Sequence, residues 1–237
     1  MRRRDFIGSV VGIGGVAAYE VGTPRLVRFS GYDWRIKASD SRIGPGPNRF
    51  SRDAVSLFEG QSLRLSIRED NGNWPCAEII SRDSFGYGTY RYYVRDAADL
   101  DLNAVLGLFT WDSEAERQAY RELDIEVGRW GSPINSNSQF VLQPATREDH
   151  IARLEVPPGP VLYEFAWRPT DVAFRAVAGY ETHPQAKTIG SSVFRHGVPA
   201  PGNGNARMNL WLMAGRPPKC GKPVDIVIDR FEFVPDA

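Results

Sequence analysis

Short runs of alternating apolar and polar residues, interrupted by clusters of Pro, Gly and Asn, leave this chain few folds to adopt. The runs are SLRLSIRE (62–69), TYRYYVRD (89–96), AVLGLFTW (104–111), ELDIEV (122–127), QFVLQ (139–143), VLYEFAW (161–167), DVAFRAV (171–177), RMNLWLM (207–213) and VDIVIDRFEFV (224–234). Alternate side chains of a strand share a face, so such runs bury one face and leave the other wet. Between them, GPGPN (44–48), EDNGNWP (69–75), VPPGP (156–160) and APGNGN (200–205) read as turns. No internal repeat or long low-complexity linker divides the chain. Many short strands with frequent turns predict an all-β fold, a β-sandwich of two antiparallel sheets. A length of 237 residues with 42% hydrophobic content suits one such domain over residues 21–237.

The first 20 residues are set apart. MRRRDFIGSVVGIGGVAAYE places three arginines before a short glycine-rich apolar run, with small residues at Ala17 and Ala18. That is the order of an export signal, and Arg3-Arg4-Asp5-Phe6-Ile7 is similar to the twin-arginine form. The apolar stretch is too short to span a bilayer. The expectation is therefore an exported protein, periplasmic or extracellular, with no membrane span and acting as a monomer. The 29 Lys+Arg offset the 29 Asp+Glu, which removes the electrostatic case for nucleic acid as a partner. In an exported protein the pair Cys76 and Cys220 is expected as a disulfide, the alternative being two separate buried thiols. Three scattered histidines and no Cys-x-x-Cys argue against a zinc site, and no Gly-x-Ser-x-Gly elbow supports a serine hydrolase.

The chemistry concentrates in ELDIEV. As a strand it puts Glu122, Asp124 and Glu126 on one face and Leu123, Ile125 and Val127 on the core side, and the same alternation carried backward adds Tyr120 to the acidic face. Just upstream, DSEAERQAYREL (112–123) suggests a short helix within a loop, with Ser113 and Glu116 spaced as a capping box. Neighbouring carboxylates raise one another's pKa, so one can hold a proton near neutral pH while another stays ionised. Glycoside hydrolysis needs that pair. A flat strand holds the two glutamate backbones about 13 Å apart at a rise of roughly 3.3 Å per residue. A retaining mechanism wants the carboxyl groups roughly 5 Å apart, so curvature and leaning side chains must close the gap.

ELDIE resembles the Glu-x-Asp-x-Glu motif of glycoside hydrolase family 16, in its unbulged form. CAEIISRDSFGYGTYRYYVR (76–95), VLYEFAWRP, RMNLWLMAG and the closing IVIDRFEFV are similar to strands of the same family in the same order, over most of residues 40–234. The resemblance implies a jelly-roll β-sandwich with a sugar-binding cleft on a concave sheet. It implies a retaining, endo-acting glycosidase of a β-linked polysaccharide, with Glu122 as nucleophile, Glu126 as acid/base and Asp124 assisting. A transglycosylase, or a non-catalytic carbohydrate-binding sandwich, is the alternative. It further implies that Glu78, Phe109, Trp111, Tyr120, Gln139, Asn209 and Trp211 meet the substrate, although each aromatic could equally be core. Members of the family often bind calcium, but no carboxylate loop here commits to one, so no cofactor is expected to be required. Ile80 stands where lichenases carry an arginine.

Overall fold

The computed structural model describes residues 25–236. Fifteen strands follow one another. The first six are β1 (Leu26–Phe29), β2 (Tyr32–Ile36), β3 (Val55–Phe58), β4 (Ser62–Ile67), β5 (Ala77–Ser84) and β6 (Gly88–Val94). Then come β7 (Ala104–Trp111), β8 (Leu123–Gly128), β9 (Ser138–Leu142), β10 (Ile151–Leu154) and β11 (Val161–Trp167). The last four are β12 (Val172–Ala178), β13 (Thr188–Phe194), β14 (Asn205–Leu212) and β15 (Val224–Pro235). They form an eight-stranded sheet, in the order β1-β2-β5-β14-β7-β8-β9-β10, and a seven-stranded sheet, β13-β12-β11-β6-β15-β4-β3. Neighbouring strands pair antiparallel throughout. This is the two-sheet sandwich expected of the alternating runs. The export signal expected at residues 1–20 lies outside the described residues.

The sheets close on one apolar cluster. Strand β8 contributes Leu123, Ile125 and Val127, β14 contributes Met208 and Leu210, and β6 contributes Tyr90 and Tyr92 from the opposite layer. Tyr90 stacks on Phe165 of β11 at 4.7 Å between ring centroids. Burying side chains of this size stabilises the sandwich by about 1.5–3 kcal/mol each, set against the entropy of ordering them. Because the core takes every second residue, the intervening residues of β5, β14, β7, β8 and β9 all project from the other face of the eight-stranded sheet. The register then decides which of them become neighbours.

The expected disulfide is absent: both cysteines are free. Cys76 is fully buried, its backbone bridging to Phe50 at the entrance to β5. Cys220 is exposed in the turn before β15, where its N–H donates to Asp101 Oδ2 at 2.9 Å. Burial pushes the Cys76 thiol up to about 12, so it is an inert apolar side chain rather than half of a bridge.

Among the described residues no helix is long and apolar enough to cross a membrane.

Candidate active site

Two rows of side chains cross the outer face of the eight-stranded sheet. One runs Arg35, Ile80, Arg207, Phe109, Asp124, Val141 across β2, β5, β14, β7, β8 and β9. The next runs Glu78, Asn209, Gly107, Glu126, Gln139. Pairing of β8 with both neighbours is continuous from Asp124 through Val127, so the strand carries no bulge there. Glu122 precedes β8 in extended conformation, and its carbonyl accepts from the Gln143 N–H at 3.2 Å, which prolongs the ladder by one residue. The three acids therefore share a face, as the alternation of ELDIEV predicts.

Each acid has a defined partner. Gln139 Nε2 donates to Glu126 Oε2 at 2.6 Å and Gln143 Nε2 to Asp124 Oδ2 at 3.0 Å. Glu122 and Asp124 are hydrogen-bonded to one another. Burial is the largest influence on all three carboxyls and lifts each above its ordinary range. The charge of Asp124, the hydrogen bond with it and the charge of Glu126 raise Glu122 further, while Arg207 opposes them. For Asp124 the charge of Glu126 adds to burial, and the hydrogen bonds with Gln143 and Glu122 pull back. Two carboxyls sharing a proton beside a third, in a poorly solvated place, can exchange that proton at little cost.

The other expected residues divide. Trp111, half-buried, stacks on Tyr120 with ring centroids 4.2 Å apart and planes within 10°. Tyr120 is not in the strand. It sits in a kinked 3-10 segment, Glu116–Arg121, where Ala119, Tyr120 and Arg121 all take positive φ. Nor is the expected cap formed: that segment has no side-chain cap, and Asp112 Oδ1 accepts from the Glu114 N–H instead. Asp112 Oδ2 also takes a salt bridge from Arg121 at 2.8 Å and the N–H of Asn203 at 2.9 Å, fastening loops 112–121 and 196–205 beside the acids. Phe109 lies in the row with Asp124 and is 8% exposed. Trp211 is 2% exposed and packs within the main apolar cluster, opposite the fully buried Val105, so it offers no ring face to a sugar. Asn209 is equally buried, with Oδ1 lacking a partner. A Cβ on Gly107 would stand 2.5 Å from that oxygen, so the Asn209 amide fills the space a side chain at the centre of the row would take.

Glu78 is 1% exposed and saturated by protein partners. Its Oε2 accepts from Lys37 Nζ at 2.8 Å and its Oε1 from Arg207 Nη1 at 3.2 Å. Burial alone would raise this carboxyl, yet the two cations hold it below its ordinary value. Lys37 and Arg207 shift downward, because burial weighs on each and they share one carboxylate. The sequence reading passed over Lys37, Arg207 and Gln143. Arg207 had a signal, since it alternates with Asn209 and Trp211, and Gln143 alternates with Gln139. Lys37 had none. Arg207 pairs in register with Ile80, so a guanidinium occupies the strand beside the one where lichenases carry an arginine. Among the described residues no group of three or more His, Cys, Asp or Glu is placed to hold a metal ion.

The fold is a β-sandwich of the kind seen in β-glucanases. No family model matches the chain. The β-glucanase of Bacillus licheniformis superposes with a TM-score of 0.67 at 20% identity, covering 92% of this chain and 100% of that one. A pseudo β-1,3-glucanase of Mycobacterium tuberculosis superposes with a TM-score of 0.65 at 15% identity, covering 86% of this chain and 91% of that one. In sequence, 81 residues are 33% identical to the endo-1,3-1,4-beta-glycanase ExoK of Rhizobium meliloti strain 1021, over 33% of this chain. That match spans only 29% of the relative's length. The resemblance read from the sequence therefore holds at the level of the fold.

Proposed function

We propose that the protein is an endo-acting glycosidase that cleaves a β-linked polysaccharide outside the cytoplasm with retention of configuration. The observation that carries this reading is the set of three interacting carboxyls on the outer face of the sheet, all lifted by burial and flanked by the Trp111–Tyr120 stack. Glu126 serves as acid/base: Gln139 occupies Oε2, leaving Oε1 to carry the proton to the leaving oxygen. Glu122 attacks the anomeric carbon with the proton of the pair resting on Asp124, and the resulting ester is hydrolysed by water that Glu126 deprotonates. Arg207 favours the ionised Glu122. The order of the two glutamates rests on resemblance to family 16 and not on geometry. The activities of the Bacillus licheniformis β-glucanase and of the endo-1,3-1,4-beta-glycanase ExoK favour a β-glucan backbone. Export rests on the first 20 residues. A transglycosylase would differ only in the acceptor that resolves the ester.

The test is a panel of β-linked polysaccharides with reducing-end detection, run with the wild type and Glu122→Gln. We expect hydrolysis by the wild type, a loss of about a thousandfold or more in kcat for the variant, and retained sugar binding. Full activity in Glu122→Gln removes the nucleophile assignment. Binding without hydrolysis by the wild type favours the second reading, a non-catalytic sugar-binding sandwich, which the likeness to a pseudo β-1,3-glucanase supports.

A further inference from the structure

Glu122 lies at a junction between a sheet and a loop. Strands β7 and β8 pair in register from Val105 opposite Gly128 to Phe109 opposite Asp124, and the pairing goes no further. Just before Glu122 the chain turns through Ala119, Tyr120 and Arg121, with φ of 48°, 58° and 52°. Non-glycine residues avoid that region, and three in succession keep it only where the surroundings impose it.

The end of β7 imposes it. The Thr110 hydroxyl, fully buried, donates to the Arg121 carbonyl at 2.7 Å and accepts from the Leu123 N–H at 3.2 Å. One side chain thereby grips the main chain on both sides of Glu122. Two residues on, the Asp112 N–H donates to the Tyr120 carbonyl at 2.7 Å. Arg121 Nη1 donates to Asp112 Oδ2 at 2.8 Å, and Arg121 Nε to the Ala200 carbonyl at 2.7 Å. Gly202 closes over this pair: a Cβ there would stand 2.6 Å from the Arg121 guanidinium carbon and 2.7 Å from Asp112 Oδ2. Arg121 is therefore fixed at its backbone and at its side chain alike. The Glu122 N–H donates to the Ala119 carbonyl at 3.1 Å, and its own carbonyl accepts from the Gln143 N–H at 3.2 Å. From this anchored backbone the Glu122 carboxyl reaches Asp124 and hydrogen-bonds to it. A hydroxyl can donate and accept at once, and Thr110 does both; valine matches its shape and can do neither.

We propose that Thr110 is a positioning residue, whose hydroxyl, together with the Asp112–Arg121 pair, sets where the Glu122 carboxyl stands against Asp124 and the sugar. The inference rests on the glycosidase reading for what Glu122 does but not for where it is held, so the two can fail separately.

The experiment compares the wild type, Thr110→Val and Thr110→Ser in two measurements. The first is kcat and KM on a soluble β-glucan. The second is a carboxyl-carbon NMR titration of the Glu122 and Asp124 side chains, which needs no activity. Displacing a reacting group by about 1 Å costs on the order of a hundredfold, so we expect Thr110→Val to lose about a hundredfold in kcat with KM nearly unchanged. Thr110→Ser should recover most of that loss. The two carboxyls should titrate in linked steps in the wild type and in Thr110→Ser. In Thr110→Val, Glu122 should titrate independently of Asp124, with Glu126 and Arg207 still acting on it. Should Thr110→Val fail to fold, Asp112→Asn loosens Arg121 at its side chain and carries both measurements. Unchanged kcat in Thr110→Val overturns the proposal. A kcat loss with the linked titration intact overturns it as well, and so does a loss that Thr110→Ser shares in full, because the hydroxyl is then not the cause. If the wild type cleaves no polysaccharide, the glycosidase reading falls and the titration decides alone: independent steps in Thr110→Val, linked again in Thr110→Ser, uphold the proposal, and linked steps in all three overturn it.

Discussion

Glu78→Gln tests whether the hub beneath the outer face is held by charge. In the wild type one carboxylate, 1% exposed, answers two cations whose side chains are only 16% and 14% exposed. The glutamine keeps the shape and leaves Lys37 and Arg207 facing an uncharged group. Removing one partner of a buried ion pair costs about 3–5 kcal/mol, because the remaining charge is left without compensation. Partial exposure of the cations and the Asn209 contact at 3.5 Å place this case near the lower end, about 3 kcal/mol. At about 2–4 °C per kcal/mol for a domain of this size, the melting temperature should drop by about 6–12 °C at pH 7. The pH dependence carries the sharper information. Glu78 is held below its ordinary pKa in the folded protein, so its contribution is complete above the unfolded value of about 4.3. It is lost as pH falls through the lower folded value. Thermal melts of both proteins followed by circular dichroism should therefore differ most at pH 6–7 and converge toward acid. A deficit that persists unchanged through that fall would show that lost packing, and not charge, is responsible. No deficit at pH 7 would refute the hub altogether.

Two further predictions follow from the same physical chemistry. Asp124→Asn should raise the melting temperature at pH 8, because the folded state lifts the Asp124 pKa and so disfavours its charge. That penalty is absent below the unfolded pKa and grows as pH rises toward the folded one, so the gain should vanish near pH 4, and a gain independent of pH would contradict it. The free cysteines predict that reductant leaves the melting temperature unchanged, while a thiol reagent titrates one group in the native protein and a second only after unfolding.

The central strands were legible because both of their environments are strongly marked. AVLGLFTW and VLYEFAW coincide with β7 and β11 to the residue. None of the alternating runs singled out in the sequence covers β1, β2, β3, β5, β10 or β13, and four of these six, β1, β3, β10 and β13, are the edge strands of the two sheets. Their burial is shallow: β1 buries only Phe29 and β13 only Phe194, so the alternation that reveals a strand is diluted. The acidic face of β8 was legible for the same reason that its core face was. Tyr120 was misplaced because three consecutive non-glycine residues turn through positive φ, which no local pattern announces. Lys37 joins Glu78 across 41 residues of sequence, a meeting that only the pairing of β2 with β5 arranges. The cysteines show the converse, since an even count of cysteines says nothing about the distance between them.

Gly107 works by what it lets in. The Asn209 amide oxygen lies 2.5 Å from where a Cβ on Gly107 would stand, so the missing side chain is the berth of a neighbour from the adjoining strand. On the far side of Gly107 the next residue in the row is Glu126. A side chain at position 107 would push the Asn209 amide aside, and with it the group that stands between the Glu78 hub and the acids, so the smallest residue of the strand keeps the two ends of the row in register.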